Sequence, residues 1–284
     1  MMASDLQDLR QRLEAHLQQV AQPRDPDWSP LGHQQVERYI QEQLSGWGSL
    51  ESFPFEAGGR LHRNWILKLP GSQPGRRPIL IGAHFDAAPA TPGADDNASG
   101  VAVLLELARH FAAEPAPSPL WLVAFDLEER GLLGSKAYAR FLRQQRQPLR
   151  LMLSLEMLGY REPTPGSQRY PAGLERLYPD RGDYIGLIGN WPALGDLLRL
   201  QRGFQQVGIP CCWLPAGQRG LFLPVTRLSD HSPFWDAGYP AAMVTDTAFL
   251  RNPHYHKLSD TLETLDLAFL SGVCRGLRQG LGSL

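Results

Sequence analysis

The chain has 284 residues, of which 43% are hydrophobic and 20% charged, so it carries enough apolar mass for one large buried core and needs no disulfide staples. A formal net charge of -1 without any long basic run excludes nucleic acid and anionic membranes as main partners. The three cysteines, Cys211, Cys212 and Cys274, include an adjacent pair poorly placed to bridge or to form a spaced metal motif, and all three read as packing thiols.

Leu6, Leu9, Leu13, Leu17 and Val20 fall on one stripe of an N-terminal helix, with Ser4 and Gln7 spaced as a capping box. The stretch from Pro23 to Pro30 breaks it, and Val36, Tyr39, Ile40 and Leu44 mark a second helix that stops before Gly46 and Gly48. Leu50 to Phe55 and Trp65 to Leu69 read as a strand hairpin, and Pro78 to Ala83 as a buried strand. A helix from Gly100 to Ala112, a strand from Leu120 to Phe125, a helix from Gly134 to Arg146 and a strand from Leu149 to Leu155 follow. Tyr160 to Gly182, rich in Pro, Gly, Arg and Tyr, reads as a long loop at a functional rim. Beyond it come a strand from Tyr184 to Ile188, a helix from Ala193 to Gln206, a short strand from Ala241 to Thr245 and a helix from Leu262 to Leu281. This alternation predicts a three-layer α/β/α sandwich around a mixed, mostly parallel sheet, in a single domain over residues 1–284. The N-terminus lacks the basic-then-apolar pattern of a signal peptide, and no apolar run approaches membrane-spanning length; a cytoplasmic location is the expectation.

Polar residues cluster where strands end. His84-Phe85-Asp86 follows the strand from Pro78, Glu128-Glu129 follows the strand from Leu120, and Glu156 follows the strand from Leu149. In an open α/β sheet the carboxyl ends of parallel strands border the ligand crevice, so three strands deliver an imidazole and carboxylates to one place. Charges at that density repel unless cations sit among them. Gly93 to Gly100, a loop of small and acidic residues containing Asp95 and Asp96, and Asn252-Pro253-His254-Tyr255-His256 supply further candidates. Imidazoles and carboxylates without cysteine suit zinc or a similar divalent metal.

The motifs H-F-D, G-A-D-D-N-A-S-G, E-E-R-G-L-L-G-S, S-D-H-S-P-F and H-Y-H-K-L-S-D-T occur in this order between about Asn64 and Asp266. In that order they resemble the co-catalytic dizinc aminopeptidase family, which includes bacterial leucyl-type aminopeptidases, glutamate carboxypeptidases and glutaminyl cyclases. The resemblance implies a dizinc metallo-exopeptidase with two zinc ions bridged by Asp96. It gives His84 and Glu156 to one metal, Glu129 and His256 to the other, Asp86 the role of accepting a hydrogen bond from the His84 imidazole, and Glu128 that of general base. Three ligand carboxylates against two zinc ions leave a charge of about +1, which a bridging hydroxide neutralises. Tyr255 matches a position that helps stabilise the oxyanion in some relatives. The implied partner is a peptide with a free N-terminus. Many relatives have Asp where this chain has Glu156, which bears on metal and substrate preference. Two other readings stay open at this level: a glutaminyl-peptide cyclotransferase, whose family members work with one zinc, and a non-catalytic peptide-binding protein on the same fold.

Several residues carry weaker expectations. Asp95 reads either as a support of the ligand residues or, more simply, as a turn former, His254 as a rim residue, and Asp230 either as a helix cap or as a neighbour of the site. His16, His33, His62 and His110 read as ordinary packing or surface histidines.

Overall fold

The computed structural model describes residues 3–284, with side chains from residue 5 onward. The expected capping box at Ser4 therefore lies outside the described residues. Helix α1 (Ala3–Val20) buries Leu9, Leu13, Leu17 and Val20, and α2 (Pro30–Ser45) buries Val36, Ile40 and Leu44, as their apolar spacing requires. Strands β1 (Leu50–Ala57) and β2 (Arg60–Leu69) form an antiparallel hairpin through the turn at Gly58 and Gly59, both in the left-handed region that glycine alone adopts freely.

The remaining elements are β3 (Ile79–His84), α3 (Gly100–Ala113), β4 (Leu120–Phe125), α4 (Leu133–Gln144), β5 (Leu151–Glu156), β6 (Ile185–Gly189), α5 (Leu194–Gln206), β7 (Cys211–Pro215), α6 (His231–Asp236), β8 (Ala241–Thr245) and α7 (Leu267–Gly282). All eight strands join one sheet in the order β1-β2-β4-β3-β5-β8-β6-β7. The pairs β3–β4, β3–β5, β5–β8 and β6–β7 are parallel, and β1–β2, β2–β4 and β6–β8 antiparallel.

The strand period of two decides what covers each face. Ile79 and Ile81 point into a large core shared with α1, α2, α3, α5 and α7, whereas Leu80 between them joins a second core with Tyr138 and Leu142 of α4 and Phe234 and Trp235 of α6. The result is the three-layer sandwich read from the sequence. Helices α5 and α7 approach so closely that a Cβ on Gly203 would lie 2.5 Å from the Gly280 nitrogen. Among the described residues no helix is long and apolar enough to cross a membrane.

Strand β7 has no counterpart in the elements expected from sequence, and the last helix begins at Leu267 rather than Leu262, where only a short turn forms.

Candidate metal centre

Three parallel neighbours, β4, β3 and β5, end side by side, and the chain leaves them with chemistry-bearing residues. His84 closes β3, Glu156 closes β5, and Asp126 to Glu129 leave β4. Asp96 comes from the irregular turn Ala94–Ser99 that opens α3, and His256 from the loop after β8. These donors fall into two groups that share Asp96: His84, Asp96 and Glu156, and Asp96, Glu129 and His256. Within each group one ligand atom per residue lies within 4.8 Å of the others. His84 Nε2 is 3.3 Å from Asp96 Oδ1 and 3.6 Å from Glu156 Oε2; His256 Nε2 is 3.1 Å from Asp96 Oδ2 and 3.2 Å from Glu129 Oε2.

The donors fit divalent cations on their own chemistry. His84 Nε2 and Glu129 Oε1 are buried without a hydrogen-bond partner, a costly arrangement unless a ligand satisfies them. Burial alone would lower the His256 pKa, yet hydrogen bonds to Asp96 and Glu129 push it up to about 10, and His84 likewise rises above its ordinary range. Asp96 is held well below the usual carboxylate range, its burial outweighed by the two imidazoles. Burial raises Glu156 and Glu129. Glu128 is pushed well above the usual range by burial and by the Glu156, Asp230 and Glu129 charges, against the pull of His84.

Other residues hold the donors in place. Asp86 pairs with His84 and also holds the loop after β4. The His84 Nδ1 lies 3.2 Å from the Asp86 main-chain carbonyl and 3.4 Å from its carboxylate, which also accepts the backbone amides of Glu128 and Glu129, each at 3.1 Å. The carboxylate thus orients the loop after β4 more directly than the imidazole. Asp260 accepts the amides of Asp95 and Asp96 at 2.9 and 3.1 Å. Asn97 ties the same loop to β5, donating to Leu155 O and accepting from Met157 N. The Ser229 hydroxyl, itself paired with Ser154, donates to Glu156 Oε2 at 2.7 Å, so the longer side chain that replaces the commoner Asp is pinned.

Arg24 has no exposed surface, and its guanidinium donates to the carbonyls of Phe85, Pro92, Gly93 and Asp96. Burial lowers its pKa to about 10 while the Asp96, Asp86 and Asp260 charges hold it up. Nothing in the Pro23–Pro30 break suggested this role, because its partners lie about 60 to 70 residues away in sequence.

Asp95 is not a turn former. It is fully buried and accepts from Gly159 N at 2.8 Å and Asn252 Nδ2 at 2.7 Å, which joins three loops. Asp230 does not cap α6; its carboxylate is buried beside the site, which pushes it up to about 7. His254 is half-buried and pairs with Ser259, away from the donors. His33 and His62 are more than packing residues, because both meet Asp126.

Beside the donors opens a largely apolar pocket. Glu156 and Tyr255 stand at its metal side, and Tyr170, Leu174, Tyr178, Trp213, Met243 and Phe249 form much of its wall. The long loop from Tyr160 and the segment after Pro210 both contribute to it. Tyr255 stacks on His256 with ring centroids 3.8 Å apart, and burial together with the nearby carboxylates raises its phenol, which stays a proton donor.

Comparison with known proteins adds relatives in sequence and in fold. The chain is 38% identical over 216 residues to the uncharacterized protein YfbL of Escherichia coli K12, a match covering 70% of this chain and 64% of that protein. It is 27% identical over 251 residues to leucine aminopeptidase 1 of Ajellomyces capsulatus strain H88, covering 82% of this chain and 58% of the relative. The chain thus spans less than two thirds of the length of either relative. The fold is that of the Legionella pneumophila LapA aminopeptidase, with a TM-score of 0.72 at 18% identity, covering 99% of this chain and 73% of that one. Residues 64–187, from Asn64 of β2 to the middle of β6, match the model of peptidase family M28.

Proposed function

We propose that this chain is a two-zinc aminopeptidase whose sheet and helices act as one catalytic domain. The observation that carries the reading is the pair of donor groups sharing the Asp96 carboxylate, set beside an apolar pocket that Glu156 borders. A donor set of two imidazoles and three carboxylates in that arrangement suits two cations better than one, which favours hydrolysis over the one-zinc cyclase chemistry.

His84, Asp96 and Glu156 would hold one metal, and Asp96, Glu129 and His256 the other. When bound, the metals supply an acidified water and a Lewis acid for the scissile carbonyl. Glu128 takes the proton of the attacking water and passes it to the departing amine as the C–N bond breaks. Tyr255 donates to the carbonyl oxygen as that atom gains charge. The apolar pocket receives the N-terminal side chain, and the Glu156 carboxylate at its edge faces the free ammonium. Substrates with large apolar N-terminal residues are therefore expected to be preferred.

The test is a panel of free-amine and N-acetylated peptides with varied first residues, run on the zinc-loaded protein and on Glu128→Gln. Cleavage confined to free-amine peptides, with the variant retaining its metal but losing roughly 10²–10⁴-fold in kcat, supports the reading. Equal cleavage of blocked peptides, or cyclisation of N-terminal glutamine, contradicts it.

A further inference from the structure

Asp126 sits at the first position after β4, two residues before Glu128, with 2% of its surface exposed. Both of its oxygens are engaged. Oδ1 lies 2.8 Å from His33 Nε2 of α2 and accepts the Leu127 amide at 2.9 Å, and Oδ2 lies 2.9 Å from His62 Nδ1 of β2. Its own amide donates to Asn64 Oδ1, and Asn64 in turn donates to Gly134 O at the far end of the turn. Leu127 has φ of 60°, a left-handed backbone that a leucine keeps only where its surroundings over-determine it. The same turn is gripped from outside by Asp25, whose carboxylate receives Arg130 at 2.9 Å.

A carboxylate placed beside an already acidic site raises the electrostatic cost of that site, so its presence calls for a compensating gain. The gain is geometric: a carboxylate with three donors aimed at it from α2, β2 and the turn fixes where the turn starts. We propose that Asp126, clamped between His33 and His62, is a positioning residue that sets the Leu127–Glu129 turn and so aims the Glu128 carboxylate. The proposal rests on the reading of Glu128 as the general base. It assigns a role to two histidines that neither bind metal nor touch substrate.

The geometry makes a crossed prediction, because His33 presents Nε2 and His62 presents Nδ1. A glutamine amide mimics the Nε2 position and an asparagine amide the Nδ1 position. His33→Gln and His62→Asn should therefore keep kcat near wild type, whereas His33→Asn, His62→Gln and Asp126→Ala should lose up to roughly 10²-fold in kcat, with KM and zinc content little changed. Nitrogen NMR of the imidazoles should show His33 protonated at Nε2 and His62 at Nδ1. Amide exchange at Leu127, Glu128 and Glu129 should quicken in the mismatched variants alone. Opposite tautomers, or exchange and kcat that do not follow the crossed pattern, would overturn the clamp. So would a loss of activity that only tracks loss of metal or melting temperature in all variants. Failure of Glu128→Gln to lower kcat would strike the base assignment instead, and the tautomer and exchange results would still decide the clamp.

Discussion

Arg24 shows how far the site depends on residues that bear none of its chemistry. Its guanidinium neutralises part of a carboxylate-rich interior and satisfies carbonyls on the loops that carry His84 and Asp96. Arg24→Met leaves those carbonyls unpaired and the carboxylates uncompensated, so it should cost roughly 3–5 kcal/mol in urea unfolding of the zinc-loaded protein. A loss below about 1 kcal/mol would show that water replaces the guanidinium at little cost. His231 gives a pH prediction. Its imidazole is fully buried, burial lowers its pKa to about 3, and it hydrogen-bonds the Thr226 carbonyl. Between the ordinary value of about 6.5 and that lowered one, the unfolded chain binds a proton that the folded chain refuses, so stability falls as pH falls through this window. From pH 6.5 to about 4.5 the loss from this residue is ~2–3 kcal/mol, and His231→Gln should show a correspondingly shallower acid limb in melts across that range. At this scale the sequence was partly legible. Residues directly after buried apolar strands announced themselves, because a charged side chain at the end of such a strand has few structural uses. Arg24, His33, His62 and Asp126 did not, because their partners lie far away in sequence and only the fold brings them together.

Among the elements, the buried strands were legible because consecutive apolar residues bounded by turn signals leave little else to form; β4 and β8 carry the expected bounds. Strand β7 was missed for a physical reason. It is a five-residue edge strand, Cys211–Pro215, with a proline at its end, where a missing amide is tolerated because no further strand pairs there. Its importance is positional, since Cys212, Trp213 and Leu214 line the pocket. The α5–α7 contact offers a direct check on packing. Gly203→Ala places a methyl 2.5 Å from the Gly280 nitrogen and 2.6 Å from its Cα, where only backbone can yield. We expect a loss of about 1–3 kcal/mol in stability with kcat unchanged, because this crossing lies on the helical layer and not at the strand ends. Unchanged stability would mean that the two helices slide apart freely.

For the whole molecule, the sheet order places β3 at a switch point, with β4 on one side and β5 on the other, so one edge of the sandwich gathers donors from distant parts of the chain. That convergence was foreseeable once the three strands were taken as parallel neighbours. The pocket wall was foreseeable only as a region, since a loop rich in Tyr and Pro encodes a surface without encoding its shape. Because the donors repel one another without cations, bound zinc should stabilise the fold, and chelation should lower the melting temperature. Zinc counted per chain in the wild type, Glu156→Ala, Glu129→Ala and Asp96→Ala proteins decides between two metals and one. Two donor groups that share Asp96 should give about two in the wild type, about one in each glutamate variant and weakened binding of both in Asp96→Ala. A single tightly bound zinc in the wild type, untouched by Glu129→Ala, would contradict the two-metal reading.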